Sequence, residues 1–116
     1  MVKNENQFIR IDTNDRSNWH RMIQRDICPL YSDDMEAVAL IKLAPGERLF
    51  CSPLSGGAEI LLLEGEMTGT KDIYTKGSWL RFPPGDMPTL IAYTRGAKLY
   101  LKTGHLNLAT STGVFP

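Results

Sequence analysis

Between positions 36 and 102 the chain meets a turn former about every ten residues, and that punctuation bounds what it can fold into. Pro45-Gly46, Pro53, Gly56-Gly57, Gly65, Lys76-Gly77, Pro83-Pro84-Gly85 and Gly96 are the breakpoints. No stretch between them repeats apolar residues with the 3.6 period of a helix. What remains are short runs at 36–43, 48–51, 59–64, 71–74, 78–82, 90–93 and 98–102. Short strands at this spacing predict an all-β sandwich or barrel rather than a parallel α/β sheet.

The runs carry further detail. In 98–102, Leu99 and Leu101 share one face while Lys98, Tyr100 and Lys102 share the other, the alternation of a half-buried strand. The unbroken Ile60-Leu61-Leu62-Leu63 predicts a strand buried on both faces. Pro45-Gly46 presets a tight turn. Gly65-Glu66 and 94–96 read as turns between strands. Upstream, 8–12 reads as a first strand and 14–18 as a turn. Residues 19–27 fit either a short helix or an extended stretch, and 28–34 contain the breaker Pro29. The tail, 103–116, adds one strand (Leu106 and Leu108 alternate) or simply trails. Together these predict one domain over 1–116, with its core at 36–102 and an N-terminal strand and extension at 1–35.

Charge and cysteine content narrow the function. Thirteen lysines and arginines balance thirteen aspartates and glutamates, with no basic run. A nucleic-acid partner is therefore not expected, since phosphate recognition needs a basic stripe. Cys28 and Cys51 are too few for a disulfide framework and match no zinc or redox spacing. Reduced thiols in a cytoplasmic protein are the expectation. The polar N-terminus and short apolar runs predict neither signal peptide nor membrane span.

Several motifs, in order and spacing, resemble the cupin superfamily, and within it the ChrR-like cupins. They are Leu43-Ala44-Pro45-Gly46-Glu47, the stretch 56–66 beginning Gly56-Gly57, the stretch 74–86 ending Pro83-Pro84-Gly85-Asp86, and the stretch 96–102. That group includes the C-terminal domain of a class of anti-sigma factors and small metal-dependent dioxygenases. The resemblance implies a double-stranded β-helix, a jelly-roll-like barrel. It also implies a homodimer, paired through an outer sheet or an exchanged N-terminal strand.

The resemblance further implies a metal site, held by a His-x-His pair, a glutamate four residues on, and a histidine just after the Pro-Gly corner. In this sequence those positions fall on Ser52, Leu54, Ala58 and Pro88. Leucine, alanine and proline side chains offer no lone pair, and serine is a poor ligand for zinc or iron. No metal and no cofactor are therefore expected. The two histidines, His20 and His105, read as exposed or structural.

The concavity left behind is expected to be lined by Phe50, Ser52, Leu54, Ala58, Trp79, Arg81, Met87, Pro88, Leu90 and Tyr93. Two outcomes stay open: an apolar pocket for a small ligand, or an interior filled by Leu54 and Met87 as core. No catalytic residue is assigned. The resemblance favours a metal-free binding or regulatory module, with a small apolar ligand or a protein partner in transcriptional or stress regulation. Against that, no His-x3-Cys-x2-Cys pattern of the helical anti-sigma domain is present. The alternatives are an enzyme with a non-standard site, using Glu59, Asp86, Tyr93 or Tyr100 for acid–base work, and a structural dimerisation protein.

Overall fold

The computed structural model describes residues 7–106; the expectation for the tail beyond Leu106 lies outside the described residues. The architecture is all-β, and every strand pairing is antiparallel. Strands run as β1 (His20–Met22), β2 (Arg25–Ser32), β3 (Ala37–Leu43), β4 (Ala58–Thr68), β5 (Ile73–Thr75), β6 (Trp79–Phe82) and β7 (Ile91–Thr103). The order across the sheet is β1-β2-β3-β7-β4-β5, with β6 also on β4. One short 3-10 turn, Arg16–Asn18, precedes β1.

One face of this sheet encloses the core. Leu62 on β4 stands opposite Leu99 on β7, and Leu99 opposite Ile41 on β3. One row along, Ile60 stands between Leu80 and Leu101. These residues, with Leu43, Leu49, Phe50, Met67, Leu90 and Ala92, form or pack against one apolar cluster. Each fully buried side chain of this size contributes about 1.5–3 kcal/mol. The neighbouring residues Glu59, Leu61 and Trp79 point to the outer face.

β4 is therefore buried on one face, and its apolar run has another cause. The register slips between Leu62 and Glu64, which inserts one extra residue, Leu63. A one-residue bulge reverses which side faces inward. Ile60 and Leu62 before it and Met67 after it all reach the core as a result. An alternating pattern could not have done this.

Gly65-Glu66 and 94–96 are not turns. β4 and β7 run through them as long strands whose register shifts again between Gly65 and Met67. Here the backbones cross too closely for side chains. A Cβ on Gly65 would lie 2.2 Å from the Gly96 carbonyl oxygen, and one on Gly96 would lie 2.5 Å from the Leu43 carbonyl oxygen. Both glycines also have positive φ, +77° and +75°.

Other boundaries move for local reasons. Residues 8–12 form no strand. Residues 19–27 hold the β1–β2 hairpin, with Ile23 at its tip at φ +58°. Pro29 lies inside β2, where β1 has already ended opposite Ile27, so its missing N–H falls at a sheet edge beside a bulge. Residues 48–51 do not continue as a strand. Arg48 makes a single bridge to Ile91, and Gly46, Glu47 and Leu49 hydrogen-bond along Leu90 and Ala92.

The crossing is testable. Gly65→Ala should cost about 3 kcal/mol or more in urea unfolding, because backbone atoms must move. Gly77→Ala, at φ +93° with no atom within 4 Å of the added methyl, should cost about 1 kcal/mol.

Candidate functional site

The rim of the barrel is built by two loops and the start of β4. Leu54 N–H donates to the Asp86 carbonyl at 2.7 Å, and the Leu54 carbonyl accepts from Gly85 at 2.7 Å and Gly57 at 3.1 Å. These bonds lash the segment carrying Ser52 and Leu54 to the Pro-Pro-Gly corner that leads to Pro88. A two-proline corner holds its shape without ladder bonds, which makes it a firm anchor. The loop at Leu54 is thereby held against Gly85 and Asp86, some 30 positions on in the sequence.

The side chains of Ser52, Leu54, Ala58 and Pro88 do not form a donor set. Ala58 is fully buried, Leu54 packs on the core cluster, Pro88 is half-buried and Ser52 is exposed. Phe50 and Phe82 meet edge to face, with ring centroids 6.4 Å apart and planes at 80°, and Phe82 stands opposite Ala58 on the β4–β6 ladder. Among the described residues, no three His, Cys, Asp or Glu side chains converge to hold a metal. One hydroxyl and three hydrocarbons do not fit iron or zinc, which need three or four imidazole, thiolate or carboxylate donors.

The ten lining candidates divide. Phe50, Leu54, Ala58 and Leu90 turn into the core. Phe50 and Leu54 also border a cavity of about 360 Å³ at the rim, shared with Arg25, Leu101 and Thr103. Pro88 and Leu90 border a separate one of about 260 Å³ with Tyr74 and Phe82. Ser52, Trp79, Arg81, Met87 and Tyr93 are exposed and join neither. Period two explains the strand residues among them: Leu80, Phe82 and Ala92 take the inward positions, leaving Trp79, Arg81 and Tyr93 outside.

Two contacts at the rim had no signal in the sequence. Arg25 donates from Nε to Glu47 at 3.1 Å and from its two terminal nitrogens to the carbonyls of Leu49 (3.1 Å) and Arg48 (2.8 Å). Glu47 in turn accepts from Ala44 N–H at 3.0 Å. With side chains only 19% and 8% exposed, this pair ties β2 to the 44–50 loop. On the outer face, His105 Nε2 pairs with Glu59 Oε1, so His105 closes the chain end back onto β4. Leu106, whose N–H donates to the Gly56 carbonyl, is buried against the same loop. The other histidine, His20, is exposed on β1. Partners 22 and 46 positions apart follow no local rule.

The cysteines differ in setting. Cys28 is buried on β2, and burial pushes its thiol above the usual value while Lys98 partly opposes the shift. Cys51 is exposed beside the rim.

An antiparallel β-barrel with its loops stitched together at one rim defines the cupin class. This chain belongs to its ChrR cupin-like family: the model described as "ChrR Cupin-like domain" matches residues 6–107. Solved structures agree in fold. The acetylacetone dioxygenase of Acinetobacter johnsonii is similar at TM-score 0.70 and 13% identity, over 89% of this chain and 76% of that one. A chain from the crystal structure of Rhodobacter sphaeroides SigE in complex with the anti-sigma ChrR is similar at TM-score 0.63 and 15% identity, over 73% of this chain. This chain spans 48% of that one. A cupin superfamily protein of Desulfitobacterium hafniense reaches 24% identity and TM-score 0.60, over 72% of this chain and 80% of that one. No curated protein matches. Among the described residues no helix is long and apolar enough to cross a membrane.

Removing the Arg25 guanidinium strands the Glu47 carboxylate in a largely buried place. Arg25→Ala should therefore lower the unfolding free energy by about 2 kcal/mol in chemical denaturation. In a thiol assay with an aromatic disulfide, one cysteine per folded chain should react within the mixing phase and the second only on unfolding. Cys51→Ser should abolish the fast phase, and Cys28→Ser should leave it.

Proposed function

We propose that this protein is a metal-independent ChrR-type cupin module that acts by binding a protein partner rather than by catalysis. The observation that carries the reading is the apolar packing of Leu54 and Ala58, two of the positions onto which the resemblance carries the metal ligands. Ala58 lies in the core cluster, Leu54 and Phe82 pack against it, and Phe50 meets Phe82 edge to face. Close-packed apolar side chains leave no open coordination position for a substrate. A partner in transcriptional or stress regulation fits the likeness to a chain from the SigE–ChrR complex. The 360 Å³ rim cavity supports a second, narrower reading, a small apolar ligand held between Phe50, Leu54 and Leu101.

We further propose a cytoplasmic homodimer organised as a single domain. Phe8 and Ile23 in the N-terminal third are 86% and 92% exposed, and Ile23 holds a conformation β-branched residues avoid. Covering such apolar groups is the role we assign to a second copy.

Elemental analysis of purified protein should give less than about 0.1 equivalent of iron, nickel, manganese or zinc per chain. Exhaustive chelation should leave Tm within about 1 °C, because there is no bound ion to release. A near-stoichiometric metal lost with a clear fall in Tm would overturn the proposal. Light scattering on an eluting column peak should give twice the 13.0 kDa chain mass.

A further inference from the structure

We infer that the outer face of β2, β3 and β7 carries a binding site for a small, multiply charged anion, a phosphate ester or a polycarboxylate. The register of four strands, β2, β3, β7 and β4, sets Asp26, Lys42, Lys98 and Glu64 in one row, with Lys42 directly opposite Lys98. Like charges facing each other across a ladder are unfavourable. The N-terminal segment then adds an aromatic floor. The Lys42 ammonium stands 4.4 Å from the centre of the Trp19 ring and that of Lys98 5.9 Å. Trp19 is itself fixed, its Nε1–H donating to the Thr13 carbonyl at 2.8 Å. Asp15 accepts from Ser17 and shapes the turn that brings Arg16 to the same place; those bonds hold its carboxyl below the ordinary range.

The result is a cavity of about 440 Å³ whose walls include Arg16, Arg21, Lys42 and Lys98 against a single carboxylate, Asp26. That carboxylate is already engaged by Arg21 Nε at 2.6 Å. Lys98 reaches Glu64 at 3.6 Å, a side chain 68% exposed. Among the described residues, Lys42 has the Trp19 ring and no carboxylate as a partner. The whole chain has zero formal net charge, so this surplus is a local gathering of cations. A concave wall focuses such a field on whatever enters it. An adjoining cavity of about 410 Å³ shares Lys42 and Lys98 and adds Arg95 beside the Glu64 carboxylate, which leaves room for a ligand with two separated charged groups. Lysine ammoniums and arginine forks suit phosphate and carboxylate oxygens alike.

The inference stands apart from the metal argument. Its test is titration calorimetry and thermal melting at low salt, with pyrophosphate in one arm and citrate in the other. The proteins are wild type, Lys42→Met, Lys98→Met and, as a control on a distant turn, Lys76→Met. Methionine keeps the apolar stem over Trp19 and removes the charge. Wild type and Lys76→Met should bind at least one anion and melt higher with it. Each of the other two variants should bind about tenfold more weakly. Without anion those two should melt at or above wild type, since one of two facing ammoniums is gone; a merely structural lysine would melt lower. The inference is overturned if Lys42→Met and Lys98→Met bind like wild type, or if wild type binds neither small anion. The second case includes binding of an acidic peptide alone.

Discussion

Everything in this fold is hung on the crossing of β4 and β7. Their ladder runs from Ala58 opposite Thr103 to Thr68 opposite Ile91. β3 continues the sheet on one side, and β5 and β6 continue it on the other. Midway, three backbones approach within the reach of one methyl group, at Gly65, Gly96 and Leu43. Glycine is the residue that permits both the contact and the positive φ. A side chain there would separate the strands and unroll the face that holds the core.

The bulge at Leu63 converts that crossing into a closed interior. By changing which side faces inward, it lets one strand supply the core before and after its bend. The consequence reaches the rim. Ala58 begins β4 at a fully buried position, and Phe50, Phe82 and Leu54 pack beside it. Charged groups meet elsewhere, in the Arg25–Glu47 tie, the His105–Glu59 pair and the basic cleft beside Trp19.

Much of the fold was legible in the sequence. Pro45-Gly46, Lys76-Gly77 and Pro83-Pro84-Gly85 mark turns because their backbone chemistry is local. β3 and β6 fall where the apolar runs predicted them, with β3 at Ala37–Leu43 and β6 at Trp79–Phe82. Gly65 and Gly96 misled, because a glycine in a bulge and a glycine in a turn have the same φ. Only the partner strand tells them apart. The β1–β2 hairpin was hidden by Ile23, a residue no turn rule would select for its tip. Among the site residues, the chemical character of Ser52, Leu54, Ala58 and Pro88 was readable. Whether Trp79, Arg81 and Tyr93 face inward was not, since that depends on register.

The amino-acid sequence by itself determined the class of fold, because turn geometry belongs to single residues and their neighbours. Only the tertiary structure decided which side chains share a face, what fills the interior, and where charge accumulates. Thirteen positive and thirteen negative residues read as evenly mixed along the chain. Strand pairing brings Lys42 beside Lys98, and a returning segment lays Trp19 and Arg16 over them. Such neighbours are separated by tens of residues, so their meeting is a property of the sheet.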